Sequence, residues 1–363
     1  MIDISLTDFL SISESEKIKY IKDTAVLFAQ QYDRAELDYL CDLSDACRKL
    51  RKNREGADFM ANLLSHKTAL NFFVQPSSRT FLSFNMAQSI LGMRRISLRD
   101  AKISSISKGE TLADSIRTFL SYVDLIVMRH SDADAVAVAF WIAAKSHRYE
   151  IVRDAKVPLP IISGGAGTQQ HPTQALLDIY TLRKSLESVG GIDGKKIMLV
   201  GDLKRGRTVR SLSYLMNNYS DVTLYFAAPE EYQMEQDILE FCEMHSIKYK
   251  MINSIEEGIR EVDAVYMTRI QDEWDGLAPG VGHVKASDAF VFKKEYLDII
   301  KPHCCLLHPL PKRDEIEEEI DYLDDKRVVY WRQERNGMWM RVAIIAKLFG
   351  VDKDIFDKLN EIC

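Results

Sequence analysis

Long apolar runs and an excess of positive charge are both absent from this 363-residue sequence. No run approaches the ~18 apolar residues that cross a bilayer, and the N-terminal segment lacks the basic and apolar regions of a signal peptide. With 48 Lys and Arg against 54 Asp and Glu, the net charge is −6, which disfavours non-specific binding to nucleic acid. We therefore expect no membrane segment and no nucleic-acid partner.

Paired cysteines are also missing. The six cysteines include no C-x-x-C pair, and six in a chain of this length are not a disulfide framework, nor do they indicate a zinc site. The adjacent Cys304 and Cys305 lie in an apolar run, where buried free thiols are expected. These features predict a protein of the reducing cytoplasm.

What is present is the composition and patterning of a two-domain α/β protein. Apolar residues make up 46% and charged residues 28%, which excludes a disordered or collagen-like chain. At ~100–200 residues per domain, the length predicts two domains, each able to bury a core.

Short apolar runs that predict strands alternate with longer periodic segments that predict helices. The predicted strands cover 68–74, 124–130, 158–165, 195–202, 221–229, 263–270 and 304–310; the predicted helices cover the first 65 or so residues and 78–91, 111–120, 171–186, 207–216, 230–247 and 337–350. This alternation predicts two doubly wound parallel-sheet domains. We expect the active site in the cleft between them, beyond the carboxyl ends of the strands.

A glycine-rich and charged segment over 187–196 is the best candidate for a domain boundary. We place one domain at 1–186 and the other at 187–336, with a C-terminal helix over about 337–363 packing back onto the first.

The first loop with chemical potential follows the strand at 68–74. Ser77, Ser78, Arg79 and Thr80 open the next helix, and Pro76 fixes the backbone just before it. Hydroxyls, unbonded helix amides and an Arg fork together form a site for a dianion. The alternative is a plain N-cap with an exposed Arg, which is the more frequent case for such a hexapeptide alone.

Three further segments of the first half carry polar side chains. In the loop over 104–110, Ser107 and Glu110 fit a capping box, while Lys108 is either a phosphate ligand or a solvated lysine. Arg129 ends a strand, where it either binds a ligand or points into solvent. His171 opens a helix after a glycine-rich loop; it is either a neutral donor imidazole or simply part of the helix start.

Three loops of the second half are similar. The loop over 201–208 carries three cations, with neither a P-loop nor a dinucleotide fingerprint. Arg269 and Gln271 follow a strand, and an Arg there is either a ligand or a solvated or paired side chain. The two prolines of His308-Pro309-Leu310-Pro311 remove amide donors, so its carbonyls either orient an amine ligand or belong to a rigid turn. Together, the six strand-end loops among these segments predict a pair of substrates with several negative charges.

The motifs resemble the catalytic chains of aspartate carbamoyltransferases, with order and spacing that agree from about residue 65 to 350. The matching strings are P-S-S-R-T followed by F-L-S-F, S-S-x-x-K-G-E-T-L-A-D, V-M-R-H, Q-H-P-T-Q-A-L-L-D, V-G-D-L-K-x-G-R-T-V, M-T-R-x-Q and H-P-L-P-x-x-D-E-I. Ornithine carbamoyltransferases carry a Cys in the H-P-L-P tetrapeptide, where this sequence has Leu310.

The resemblance implies a role for each residue. The first domain would bind carbamoyl phosphate and the second L-aspartate. The implied carbamoyl-phosphate ligands are Ser77, Ser78, Arg79, Thr80, Ser104, Lys108, Arg129, His171, Gln174, Leu310 and Pro311; the implied aspartate ligands are Lys108, Arg207, Arg269 and Gln271; the implied catalytic residues are Arg79, Thr80, Arg129 and His171. Ser104 and Lys108 would reach in from a neighbouring subunit of a homotrimer with shared sites.

The implied reaction is a step of pyrimidine biosynthesis: carbamoyl transfer from carbamoyl phosphate to L-aspartate, with no metal or other cofactor. Thr80, Arg129 and His171 would stabilise the oxyanion at the carbamoyl carbonyl. Gln174 and the carbonyls of Leu310 and Pro311 would contact the carbamoyl nitrogen. Two alternatives stay open, a carbamoyltransferase with another amino acceptor and a catalytically idle regulatory homologue; the sequence also leaves open whether a regulatory chain binds.

The sequence departs from the family pattern at four positions. Position 78 is Ser where Thr is usual, and position 81 is Phe where a basic residue is usual. Gln75 stands in place of an acid and Trp274 in place of an Arg, and this acid and Arg bridge the two domains of relatives. Because both charges are missing together, we expect domain closure to depend less on an ion pair.

Overall fold

The computed structural model describes residues 2–21, 24–99, 109–145, 158–167, 170–271 and 287–362. Ten strands in this part of the chain form two five-stranded sheets in which every pair is parallel. They are β1 (Ala25–Val26), β2 (Thr68–Phe73), β3 (Arg94–Leu98), β4 (Leu125–His130), β5 (Ile161–Ala166), β6 (Lys196–Val200), β7 (Thr223–Ala227), β8 (Lys248–Ile252), β9 (Ala264–Met267) and β10 (Cys305–Leu307).

Twelve α-helices among the same residues surround the strands in sequence. They are α1 (Leu6–Ser11), α2 (Glu14–Ile21), α3 (Arg34–Leu50), α4 (Arg54–Leu63), α5 (Ser78–Ile90), α6 (Leu112–Leu120), α7 (Ala135–Lys145), α8 (Pro172–Leu186), α9 (Arg207–Leu215), α10 (Gln236–Met244), α11 (Tyr330–Leu348) and α12 (Asp352–Ile362). None of these helices is both long enough and apolar enough to cross a membrane.

The chain divides into two compact units. The first unit contains residues 1–173 and 337–363, and the second contains residues 174–336. Most of α8 therefore belongs to the second unit, where Asp178 accepts a hydrogen bond from Tyr266 and Thr181 accepts one from Asn336. The boundary between the compact units, at 173/174, lies 13 residues before the expected domain boundary at 186/187. The assignment of a ligand to each domain stays a prediction.

The sheet of the first unit has the strand order β1-β5-β4-β2-β3. The chain passes from β2 to β3 on one side and then returns to β4 on the other, so the winding reverses between β2 and β4. Phe72, Ile126 and Phe140 are fully buried around these strands. In doubly wound sheets, the crevice at such a reversal is where ligands bind.

The sheet of the second unit has the order β10-β9-β6-β7-β8. Here β7 and β8 lie on one side of β6, and β9 and β10 lie on the other, so the winding reverses between β6 and β9. Met198, Val265 and Leu306 belong to the buried core of this unit. Both units are thus doubly wound, as the sequence predicted.

All seven predicted strands are present, within a few residues of their expected bounds. Three strands were missed. One of them, β1, interrupts the N-terminal segment that was expected to be helical throughout. The other two, β3 and β8, are sheet-edge strands whose residues are mostly exposed, so they lack an apolar signature.

Three helix predictions needed correction. The helix expected at 230–247 is shorter, because its first residues form a 3₁₀ turn over Glu230–Tyr232 before α10. The helix expected at 337–350 begins earlier, at Tyr330, and α12 follows it. The N-cap of α6 is Thr111, whose hydroxyl accepts the Asp114 amide at 3.1 Å. The predicted capping box of Ser107 and Glu110 is therefore wrong, although Ser107 itself lies outside the described residues.

The C-terminal helices complete the first unit. Arg341 of α11 is buried, donates to Ser83 Oγ of α5 at 2.8 Å and stacks its guanidinium on the Phe84 ring. On α12, Lys358 donates to Glu55 Oε1 at 2.8 Å. The last 27 residues therefore stabilise α4 and α5, which belong to the first 90 residues, through these contacts.

Candidate active site

The N-terminus of α5 lies at the carboxyl end of β2, beside the winding reversal of the first sheet. Ser77 takes the N-cap position, yet its side chain makes no capping hydrogen bond. The first intrahelical bond runs from the Phe81 amide to the Ser77 carbonyl at 3.2 Å. The amides of the preceding helical residues have no partner within the helix. The start of α5 therefore combines hydroxyls, amides and the positive end of a 13-residue helix dipole.

Backbone hydrogen bonds fix the loop before α5 to the end of β4. The amides of Val74 and Gln75 both donate to the Arg129 carbonyl, at 3.1 and 3.4 Å. Thr80 is buried, and Arg79 is half-buried. The carboxyl end of β2 and the side chain of Arg129 are thus brought to the same edge of the sheet.

Arg129 is 8% exposed and is held by the backbone of β5. Its Nη1 donates to the Gly164 carbonyl at 2.9 Å. A Cβ at Gly164 would lie 3.4 Å from the Met128 carbonyl oxygen and 3.5 Å from Arg129 Cβ, which are ordinary contact distances. The guanidinium is therefore fixed beside the reversal of the winding between β2 and β4, in a position to bind an anion.

His171 immediately precedes α8 and is 3% exposed. Its Nδ1 lies 3.5 Å from Thr173 Oγ1. The neighbouring Gln170 anchors this turn: its side chain accepts from the Ala29 amide at 2.8 Å and donates to Glu14 at 2.6 Å and to Gln30 at 2.8 Å. The N-terminal segment therefore supports the turn that carries His171.

Phe81, where the family resemblance led us to expect a basic residue, packs at 5.5 Å between ring centroids against Phe73. The guanidinium of Arg99, just after β3, lies 4.3 Å from the centre of the Phe81 ring. A cation is therefore kept next to this position through a cation–π contact.

In the second unit, Asp202 joins the loops that follow β6 and β9. It is fully buried and accepts from the Arg205 amide at 3.0 Å and from Arg205 Nε at 2.8 Å. Its Oδ2 also accepts the Gln271 amide at 3.0 Å. The predicted aspartate-binding Gln271 is therefore tied to the same loop that leads into Arg207.

Gly201 lets these two loops meet. Its φ is +110°, and a Cβ there would lie 2.1 Å from the Thr268 carbonyl oxygen. Arg207 begins α9, and Arg269 donates through Nη1 to the Ile270 carbonyl at 3.0 Å. Both arginines are half-buried and sit beside the winding reversal between β6 and β9.

Gln174, at the start of α8, enters a buried polar cluster. Its Nε2 donates to Asp178 Oδ1 at 3.0 Å. Asp178, which is fully buried, also accepts from the Tyr266 hydroxyl at 2.7 Å and from Gln333 Nε2 at 2.7 Å. Burial, followed by the charge of Asp178, raises the pKa of Tyr266 well above its usual value.

The turn after β10 carries Leu310 and Pro311, joined by a cis peptide bond. Leu310 has φ +53°, and its amide donates to His308 Nδ1 at 2.7 Å. Nε2 of the same ring therefore carries the proton and donates to Glu315 Oε1 at 2.7 Å. Burial lowers the pKa of His308; burial opposes ionisation of Glu315, but the hydrogen bond from His308 brings the pKa of Glu315 below its usual value.

The predicted site residues thus fall into two groups; all of them except Gln174, which follows β5 at the start of α8, end or follow strands of the sheet of their own unit. The first unit places Ser77, Ser78, Arg79, Thr80, Arg129 and His171; the second places Gln174, Arg207, Arg269, Gln271, Leu310 and Pro311. Ser104, Lys108 and Trp274 lie outside the described residues. Among the described residues, no group of three or more His, Cys, Asp or Glu side chains is arranged to hold a metal ion.

Two family models match the chain along nearly its whole length. The model for the aspartate/ornithine carbamoyltransferase carbamoyl-P binding domain matches residues 25–184, and that for the Asp/Orn binding domain matches residues 193–348. The chain belongs to the aspartate/ornithine carbamoyltransferase family.

Curated relatives in this family include aspartate carbamoyltransferase 1 (chloroplastic) of Pisum sativum, which is 37% identical over 89% of this chain and 78% of its own length. The aspartate carbamoyltransferase catalytic subunit of Methanobrevibacter smithii is 36% identical over 91% of this chain and 96% of its own. These relatives confirm the family that the sequence motifs indicated.

Solved structures of aspartate transcarbamoylase from Trypanosoma cruzi share the fold. The complex with carbamoyl aspartate and phosphate has a TM-score of 0.75 and 33% identity, covering 90% of this chain and 96% of that one. The complex with N-(phosphonacetyl)-L-aspartic acid has a TM-score of 0.76 and 35% identity, with the same coverage.

Several residues that shape the site were missed by the sequence reasoning. Asp178, Asp202 and Gln333 are buried polar groups that hold predicted ligands in place, and Gln170 anchors the turn of His171. The quoted motifs contain the first two and Gln170, but only as matching letters. A polar residue on the apolar face of a predicted helix, as Asp178 is in α8, was the one signal available.

Proposed function

We propose that this protein transfers the carbamoyl group of carbamoyl phosphate to the amine of L-aspartate, giving N-carbamoyl-L-aspartate and phosphate. This reaction is a step of pyrimidine biosynthesis. The observation that carries the proposal is the placement of the ligands beside the two winding reversals. The start of α5 and Arg129 lie at the ends of β2 and β4, and Arg207, Arg269 and Gln271 follow β6 and β9. The named relatives and the ligands of the Trypanosoma cruzi structures support the same substrates.

The first unit supplies the binding chemistry for the phosphate. The start of α5 offers amide donors, two serine hydroxyls and the Arg79 guanidinium. Charge-assisted bonds from an arginine to a phosphate are about twice as strong as neutral ones. Arg129, which β5 fixes in place, adds a second guanidinium to the same edge of the sheet.

Carbamoyl transfer needs no protein nucleophile. The aspartate amine attacks the carbamoyl carbon, a C–N bond forms, and the bond from carbon to the phosphate oxygen breaks. The amine proton leaves with the phosphate. Charge develops on the carbonyl oxygen during the attack, and Thr80, Arg129 and His171 are the donors that stabilise it.

The second unit supplies the groups that select the acceptor. Arg207 and Arg269 are suited to the two carboxylates of aspartate, and Gln271 is held beside them by Asp202. Leu310 stands where ornithine carbamoyltransferases carry a Cys. A dicarboxylate matches this pair of arginines, whereas the side-chain ammonium of ornithine would be repelled.

We further propose a homotrimer with shared sites in the cytoplasm. Support for an interface comes from Leu82 and Met86 on α5 and Ile96 on β3, which are 63%, 43% and 44% exposed, respectively. Exposed apolar side chains of this size on adjacent elements are typical of subunit contacts. The five described cysteines are free and buried, in keeping with a reducing compartment.

The first prediction tests the reaction itself. Purified protein treated with EDTA should form N-carbamoyl-L-aspartate and phosphate, with aspartate strongly preferred over ornithine. An Arg129→Ala variant should lose about 10²–10³ in kcat, because one oxyanion donor is removed. Preference for ornithine would assign a different acceptor, loss of activity on chelation would assign a metal, and no turnover with either amine would identify an idle homologue.

A further inference from the structure

A buried hydrogen-bonded cluster connects three loops of the second unit. Asp178 is at its centre, with Gln174, Tyr266 and Gln333 donating to its carboxylate at 3.0, 2.7 and 2.7 Å. Thr208 and Gln174 lie close enough to the Tyr266 hydroxyl to oppose the rise of its pKa. The cluster therefore reaches the start of α8, the start of α9 and the helix that contains Gln333.

The cluster determines which way the Gln174 amide points. A carboxylate only accepts hydrogen bonds, so Gln174 must present its NH₂ group to Asp178. The Tyr266 hydroxyl gives its own proton to the other oxygen of the same carboxylate at 2.7 Å. The group of Gln174 that is left for a ligand is Oε1, which can only accept.

A second arm of the cluster leads to the turn after β10. Gln333 donates through Nε2 to Asp178 and accepts the His308 amide through Oε1 at 2.9 Å, so its orientation is fixed as well. His308 in turn accepts the Leu310 amide at 2.7 Å. Leu310 and Gln174 are thus placed through one chain of bonds that contains no solvent-exposed member.

We propose that Asp178 and Tyr266 are positioning residues that make the site selective for the NH₂ group of the carbamoyl donor. An amide that faces the ligand with Oε1 accepts from a carbamoyl NH₂, but it gains nothing from a methyl group in the same place. This inference rests on the proposed function. It adds a means by which the protein distinguishes carbamoyl phosphate from acyl phosphates of the same shape.

The test compares carbamoyl phosphate with acetyl phosphate, in which a methyl group replaces the NH₂. Dissociation constants for both are measured calorimetrically on the wild type and on Tyr266→Phe. Removing the hydroxyl takes away the bond that Tyr266 donates to Asp178 Oδ2, so the carboxylate that orients Gln174 is held less firmly. We expect carbamoyl phosphate to bind roughly three- to tenfold more weakly and acetyl phosphate to stay within about twofold.

Tyr225→Phe is the matched control. Tyr225 lies in the same sheet on β7, is 1% exposed and donates to the Glu261 carboxylate at 2.8 Å, outside the cluster. The same atom is lost next to the same kind of partner, so binding of both phosphates should keep the wild-type ratio. A purely structural role of Tyr266 would weaken both ligands equally, and that result overturns the proposal.

Substitutions of Asp178 provide a second, independent test of the preference for carbamoyl phosphate over acetyl phosphate. Asp178→Ala removes the bonds that the carboxylate accepts from Gln174, Tyr266 and Gln333 and should lower the preference for carbamoyl phosphate further. Asp178→Asn keeps one oxygen for Gln174 and Gln333 and should recover part of the preference. If Tyr266→Phe does not fold, Gln333→Met breaks the arm to His308 and is read in the same way. Equal ratios in every variant and in the wild type contradict the inference, whereas a wild type that transfers no carbamoyl group contradicts the proposed function itself.

Discussion

Buried carboxylates recur in the second unit at points where separate loops meet. Asp178 and Asp202 each accept bonds from residues distant in sequence, and so does Asp263, which accepts from the Lys196 amide, Lys301 and His303 at 2.8, 2.7 and 2.8 Å. A buried carboxylate is stable only when its lone pairs are used. Each therefore fixes the relative position of two or three chain segments. The predicted substrate ligands on those segments are held in place by the same bonds.

The His308–Glu315 pair makes stability depend on pH. Burial lowers the pKa of His308 below 6.5, and protonation would break the bond that its Nδ1 accepts from Leu310. The unfolded chain therefore binds this proton first as the pH falls. We expect the contribution of this pair to the free energy of unfolding to be at its highest above pH 6.5. Below pH 6.5 it should decline by up to about 1.4 kcal/mol per pH unit.

Glu315, whose pKa lies below 4.5, adds a second loss of the same sign below that pH. Urea unfolding of the wild type, His308→Asn and the exposed-site control His66→Asn between pH 7.5 and 5.5 measures the first effect. The slope should become smaller in His308→Asn, where half-buried His130, whose pKa burial also lowers, still contributes, and it should persist unchanged in His66→Asn. A wild type whose stability is flat in this interval would contradict the explanation.

At the level of elements, the close approach of the exits from β6 and β9 depends on Gly201. Gly201→Ala would add a Cβ 2.1 Å from a backbone oxygen at φ +110°, so we expect it to cost about 3 kcal/mol or more in unfolding free energy. Gly194→Ala is the control: φ is +71° there, but nothing lies within 4 Å of the new Cβ, and about 1–2 kcal/mol is expected. Equal losses in chemical denaturation would show that backbone conformation alone, and not the contact with Thr268, sets the cost.

The strands that the sequence predicted are those whose residues are buried and apolar. β2, β4 and β9 are almost fully buried and read as apolar runs, whereas β3 and β8 lie at sheet edges with exposed side chains and had no pattern to detect. β1 has two residues, too few for any period. The order of strands in each sheet also needs the three-dimensional pairing, since consecutive elements only narrow the choice.

The candidate site was predictable as a set of loops and not as a set of contacts. Arg129 and the start of α5 were found because strand ends and helix starts are visible in sequence. The bond between Asp178 and Gln333 spans 155 residues, and that between Asp202 and Gln271 spans 69. Such pairs follow from tertiary packing, which no local spacing reports.

At the scale of the whole molecule, the proposed trimer predicts complementation between inactive chains. Lys108→Ala and Arg269→Ala are each expected to be inactive, because one removes the ligand lent to a neighbour and the other the ligand for the subunit's own aspartate. In a cyclic trimer with shared sites, every mixed trimer holds one intact site, so random mixing should restore about a quarter of wild-type activity. Subunit exchange verified by mass spectrometry, with no return of activity, would exclude shared sites.

The first unit is discontinuous: it needs residues 337–363 as well as 1–173, while the second unit is a single stretch of 163 residues. A ribosome releases chain from the N-terminus onward, and domains generally fold as they emerge. The second unit can therefore be complete while the first still lacks α12 and most of α11, including Arg341, which bonds to Ser83 of α5. The start of α5, which we propose binds phosphate, is therefore synthesised early. Its contacts with α11 form only when the end of the chain has been synthesised, so the carbamoyl-phosphate site is completed at the end of translation.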